Sequence, residues 1–87
     1  MELDIAYAPI FIRQWKSLPT PLQDETIEKI ELFKNQENHK LLKVHKLSGQ
    51  LSGFYSFSVN YKFRIIFEYG EGNTVFLLKI GSHEIYQ

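Results

Sequence analysis

Sixteen residues in the second half of the chain constrain its fold more than any others. From Phe54 to Tyr61, the apolar residues Tyr55, Phe57, Val59 and Tyr61 alternate with Ser56, Ser58 and Asn60. From Lys62 to Tyr69, Phe63, Ile65 and Phe67 alternate with Lys62, Arg64, Ile66 and Glu68. A period of two sends the two sets to opposite faces of a strand. The run therefore predicts two consecutive strands with one aromatic face that has to be covered. Gly70-Glu71-Gly72-Asn73 suits a hairpin turn. Thr74 to Ile80 reads as the last strand, and Leu42 to Leu47, closed by Ser48-Gly49, as the strand before the pair.

The first half supplies the covering layer. Glu2 to Tyr7 reads as a short strand with Leu3, Ile5 and Tyr7 on one face. Pro9 fits the first turn of a helix, where its missing N–H costs nothing. Phe11, Trp15 and Leu18 follow at helical spacing. Leu18-Pro19-Thr20-Pro21 breaks that helix, with Thr20 placed to cap the next one and Pro21 at its first position. Ile27, Ile30 and Phe33 form the expected buried stripe of the second helix. Asp24 and Glu25 sit near its positive end. Asn35 to Asn38 is a polar stop. The predicted order is β-α-α-β-β-β-β, an α+β domain in which two N-terminal helices pack on one face of a mainly antiparallel sheet. The opposite face carries Ser56, Ser58, Lys62 and Arg64, and nothing in the sequence obviously covers it.

Eighty-seven residues make one domain, 1–87, that buries only roughly 60–65 % of its unfolded surface. The absence of cysteine excludes a disulfide framework and a thiolate zinc site. His39, His45 and His83 are the only histidines, and their spacing does not suggest a metal site. No cofactor is expected. The opening MELDIAYAPI has no signal-peptide pattern and no stretch approaches a membrane span, so a soluble, cytoplasmic protein is expected. Ten basic residues balance ten acidic ones, but unevenly. His39 to Phe67 holds Lys40, Lys43, Lys46, Lys62, Arg64 and two histidines with no acid. Such a stripe can bind phosphate even at zero net charge.

Two segments carry a family resemblance. HKLSGQLSGFYSFSVNYKFRIIFEY is similar to the RelE/ParE toxin superfamily's short basic strand, glycine-containing loop and strand pair, with an arginine near the start of the second strand. LLKIGSHEIY resembles its last strand, a glycine, a His or Arg, and a near-terminal tyrosine. The resemblance implies the toxin of a type II toxin–antitoxin pair. It implies an mRNA interferase, an endoribonuclease that cuts messenger RNA, usually in the ribosomal A site. The 2′-OH attacks the adjacent phosphate and no metal takes part. It also implies a cognate antitoxin partner and a toxin–antitoxin hetero-oligomer.

Cleavage by an internal hydroxyl needs a base for the 2′-OH, charge on the phosphate oxygens and an acid for the 5′-oxygen. Arg64 suits the phosphate, because its planar fork can grip two oxygens. It matches the family's strand arginine. It could also pair with Glu68, four residues on and on the same strand face. His83 matches the catalytic His or Arg and is favoured as acid; Glu84 beside it could tune it. Tyr86 could stack on a base, transfer a proton or pin the C-terminus. In the predicted strand Lys43 and His45 share a face, with Lys46 on the other. His45 could be the base and the lysines phosphate contacts, or the cluster could blunt an edge strand. Lys62 and Lys79 are further phosphate candidates, and Ser56 and Ser58 could bond phosphate or merely face solvent. Two other readings stay open: a non-catalytic gyrase poison, as some relatives are, and a non-toxic interaction module, to which zero net charge is suited.

Overall fold

The computed structural model describes residues 2–86, the side chains of residues 83 and 84 excepted. Strand β1 spans Asp4–Tyr7, helix α1 Pro9–Lys16 and helix α2 Thr20–Phe33. Strands β2 (His45–Lys46), β3 (Tyr55–Ser58), β4 (Phe63–Tyr69) and β5 (Thr74–Ser82) follow, and a 3-10 turn over His83–Tyr86 closes the described chain. The sheet order is β1-β5-β4-β3-β2, with β1 parallel to β5 and every other pair antiparallel. The expected β-α-α-β-β-β-β order and two-helix layer are both present. No helix among the described residues is long and apolar enough to cross a membrane.

The aromatic alternation supplies the core. Phe57, Ile65, Phe67, Val75, Leu77 and Ile80 on the sheet meet Phe11, Ile30 and Phe33 from the helices. Phe33 is the hub: its ring stacks on Phe57 at 4.3 Å and on His39 at 4.5 Å, and meets Phe67 edge-on at 4.8 Å. His39 Nε2 donates to the Phe33 carbonyl at 2.8 Å, so this histidine caps the end of α2. Pro9 opens α1 as expected. Beyond Tyr7, where β1 stops, Gln14 takes over the edge of β5, its Oε1 accepting from the Ile80 N–H at 2.9 Å. A buried strand amide is thereby satisfied.

Three local expectations fail for physical reasons. Thr20 is the first residue of α2, not its cap; Pro19 precedes it with no side-chain cap. The face of α2 turned to the sheet includes Thr26 and Ile30, not Ile27. Thr26 is fully buried because its hydroxyl is satisfied within the helix, donating to the Leu22 carbonyl at 2.7 Å. Ile27 is 48 % exposed and lines an apolar hollow of about 250 Å³ with Tyr7, Phe11, Ile12, Trp15 and Ile30. The strand expected over Leu42–Leu47 shrinks to His45–Lys46. Leu42 turns into the core and Lys43 adopts a left-handed conformation, φ 59°, which a ladder cannot accommodate.

Candidate active site on the second sheet face

Register decides which polar side chains meet on the face away from the helices. His45 lies opposite Ser56, Ser56 opposite Ile66, and Ile66 opposite Lys79. The next row runs Ser58, Arg64, Gly81. Directly opposed residues stand about 4.5–5.5 Å apart at Cβ. The two rows thus gather His45, Ser56, Arg64 and Lys79, which come from four strands. Between Ile66 and Phe67 the pairing with β5 slips by one residue, from Lys79 to Leu77. Leu78 is the extra residue, so Leu78 and Lys79 both lie on this face while Leu77 and Ile80 enter the core.

The C-terminal turn lies across these rows. Tyr86 Oη and Ser56 Oγ are 2.8 Å apart and share a hydrogen bond. Ile85 lines a hollow of about 250 Å³ together with Leu51, Phe54, Ile66, Leu78 and Lys79. This corrects the expectation of an uncovered face. Ser56 is fully buried and its hydroxyl is engaged by Tyr86. His83 and Glu84 belong to the same turn, and their expected roles fall on side chains outside those described.

Arg64 is half-buried and held from behind. Its Nη1 donates to the Asn60 carbonyl and to the Phe63 carbonyl, the latter at 3.1 Å. Of its five N–H donors, three remain on Nε and Nη2. No carboxylate among the described side chains pairs with it, so the alternative Glu68 pairing is not formed among them. Asn60 shapes the β3–β4 turn, accepting at Oδ1 from the Lys62 N–H (2.9 Å) and the Phe63 N–H (2.8 Å). Its Nδ2 donates to Glu25 Oε1 at 2.8 Å, tying the turn to α2. Sequence reasoning missed this residue. Its signal was an asparagine where the alternation passes from one strand to the next.

His45 is exposed at the edge of the sheet, with Nδ1 2.9 Å from the Lys43 carbonyl. A carbonyl only accepts, so Nδ1 carries a proton and the neutral ring presents its lone pair at Nε2. The left-handed turn at Lys43 supplies that carbonyl. Lys43 itself leaves the strand face on which it was expected to accompany His45. It lines a separate hollow of about 340 Å³ with Glu25, Lys29, Ser58, Asn60 and Tyr61. Lys46 points to the opposite side from His45, as the alternation predicted. Lys62 lies in the turn before β4, its ammonium 5.8 Å from the centre of the Phe63 ring. Among the described residues no three His, Asp or Glu side chains gather to hold a metal ion.

Comparison with known proteins rests on shape. No protein-family model matches the sequence, and no curated protein matches it. Solved structures do match in fold. YafQ from Escherichia coli strain BL21(DE3) superposes with a TM-score of 0.77 at 15 % identity, over 98 % of each chain. A chain of the RelBE2 toxin–antitoxin complex from Mycobacterium tuberculosis gives 0.74 at 16 % identity, over 95 % of this chain and all of that one. A chain of the YoeB–YefM complex from Staphylococcus aureus gives 0.71 at 20 % identity, over 95 % and 99 %. The chain has the fold of RelE-like toxins.

Proposed function

We propose, from that fold and the residues on its second sheet face, that this chain is the toxin of a toxin–antitoxin pair. We read it as an endoribonuclease that cleaves messenger RNA, on the ribosome, by attack of the 2′-OH on the adjacent phosphate. The observation that carries the reading is the convergence of Arg64, His45 and the Ser56–Tyr86 pair on one face, from three successive strands and the C-terminal turn.

Each chemical need then has a residue. Arg64, fixed through Nη1, turns its remaining donors to the phosphate oxygens and stabilises the charge that builds there. His45 Nε2 takes the proton of the 2′-OH as that oxygen bonds to phosphorus. The bond from phosphorus to the 5′-oxygen breaks, leaving a 2′,3′-cyclic phosphate. The departing oxygen receives a proton from His83, as the resemblance to the superfamily suggests. Tyr86, oriented by Ser56, supplies a hydrogen bond to the same oxygen, so Ser56 acts through Tyr86. Lys79, in the same row as Ser56, contacts the next phosphate, whereas Lys43, Lys46 and Lys62 lie off this face and take only phosphates beyond it. No step needs a metal.

The partner under this reading is an antitoxin that lays an apolar and acidic segment over the basic face. Toxin–antitoxin complexes among the structures of like fold support it. Induction of the chain alone in growing bacteria, with 5′ ends of messenger RNA mapped beside an Arg64→Ala control, tests the proposal. New cuts that vanish in the control are expected. Growth arrest with intact message would refute it in favour of a gyrase poison, and no arrest in favour of an interaction module.

A further inference from the structure

Gly81 occupies an unusual place. It lies within β5, opposite Arg64, where a glycine weakens a strand and commonly marks the close approach of another group. That group is Ile85. A Cβ built on Gly81 would stand 3.7 Å from Ile85 Cβ and would collide with Ile85 Cγ2, well inside contact distance. A γ-branch on a stiff β-branched side chain cannot swing aside freely. The tail can therefore lie against β5 only because residue 81 has no side chain.

Ile85 also forms one wall of the apolar hollow it shares with Leu51, Phe54, Ile66, Leu78 and Lys79. Two of its neighbours there, Ile66 and Leu78, belong to the sheet itself, and the bulge sets Lys79 beside Leu78 on this face. The residue after Ile85 is Tyr86, whose hydroxyl meets the buried Ser56. One peptide unit joins the two residues, so the seat of one constrains the other.

We infer that Gly81 and Ile85 form a latch that positions Tyr86 on Ser56, beside Arg64. Neither residue touches the reacting atoms; both act through Tyr86. The inference rests on the ribonuclease reading for its kinetic consequence, but its structural consequence stands apart from that reading.

The geometry prescribes the test. Gly81→Ala introduces the collision and unseats the tail. Ile85→Leu moves the branch from Cβ to Cγ, removing the offending Cγ2 while keeping an apolar side chain, so Gly81→Ala/Ile85→Leu reseats it. Ile85→Ala removes the apolar contact of the tail with Ile66 and Leu78 without altering β5. The protein is labelled with 3-fluorotyrosine, its Tyr86 signal is assigned by Tyr86→Phe, and the fluorine shift is read without RNA. Cleavage by each variant is measured in parallel.

Gly81→Ala and Ile85→Ala are each expected to shift the Tyr86 signal toward that of a solvent-exposed tyrosine and to lower kcat by about 10²-fold, the lower range for loss of one preorganised hydrogen-bond donor. KM is expected to move by less than about threefold. The double variant is expected to recover both signal and rate. An unchanged Tyr86 signal in both single variants overturns the latch. So does a double variant that fails to recover, since Gly81 would then serve to leave room for substrate. A wild-type chain that never cuts RNA refutes the ribonuclease reading alone, because the fluorine signal still decides the latch.

Discussion

Replacing Arg64 by lysine separates charge from geometry. The guanidinium spends both Nη1 hydrogens on the carbonyls of Asn60 and Phe63 and keeps three donors for a phosphate. An ammonium has three donors on one atom, and it cannot hold the turn and grip two phosphate oxygens together. Lysine should forfeit about one charge-assisted hydrogen bond, roughly 1.5–3 kcal/mol. That is about 10- to 150-fold in rate at about 1.4 kcal/mol per tenfold. Alanine loses the whole electrostatic contact and should cost about 10²–10³-fold, as removal of one preorganised donor does. Both variants also lose bonds to the β3–β4 turn. The half-exposed carbonyls can turn to water, so the stability cost should be about 1 kcal/mol, or about 4–8 °C in Tm. Cleavage of a defined message in a reconstituted translation mixture, read by 5′-end mapping under single turnover, gives the rates, and thermal melts check the fold. A folded lysine variant at the wild-type rate would show that the fork is irrelevant. A folded alanine variant at that rate would remove Arg64 from the chemistry altogether.

Other perturbations follow from the same contacts. Phe33→Ala removes the hub that stacks on Phe57 and His39 and should destabilise by about 3–5 kcal/mol, enough to unfold a marginal domain, as a denaturant titration would show. Ser56→Ala deletes the partner of the Tyr86 hydroxyl and should slow cleavage as Tyr86→Phe does, with a Tm loss of only a few degrees from about 1 kcal/mol. Burial holds the Tyr69 phenol above its usual pKa, with the neighbouring Tyr55 adding to the shift. The folded state keeps that proton longer than the unfolded state. The stabilisation is therefore complete below the ordinary tyrosine range and is lost as pH rises through the folded pKa. Tyr69→Phe should flatten that alkaline decline in urea titrations across pH 9–11, about the tyrosine range.

Elements governed by local chemistry were legible. Pro9 and the Pro19–Pro21 break marked the helices, and the period-two aromatics marked β3 and β4. Thr26 misled because an apolar count treats threonine as polar, whereas a helix can absorb its hydroxyl on an i−4 carbonyl. The failure at Lys43 was of the same kind: alternation over Leu42–Leu47 looks strand-like, but Leu42 is buried in the core and Lys43 beside it takes the left-handed conformation. Arg64 could be chosen as a candidate from its position, but its anchoring by Asn60 and Phe63 could not. The meeting of His45 with Ser56 depends on inter-strand register, and that of Ser56 with Tyr86 on the tail folding back over the sheet. Such non-local pairings leave no periodic trace in the sequence.

The extra residue in β5 works as a change of reading frame within one strand. Before it, odd-numbered positions Val75 and Leu77 feed the core; after it, the even-numbered Ile80 does. Deleting Leu78 would leave Val75, Leu77 and Ile80 on one face and Lys79 and Gly81 on the other, a regular alternation with no extra residue. The core layer would keep all three side chains. What the strand would lose is its doubled outward position, and with it Leu78 from the hollow it shares with Ile66 and Ile85. The extra residue thus serves the outer face alone: it lengthens that face by one side chain and asks nothing of the layer that holds the molecule together.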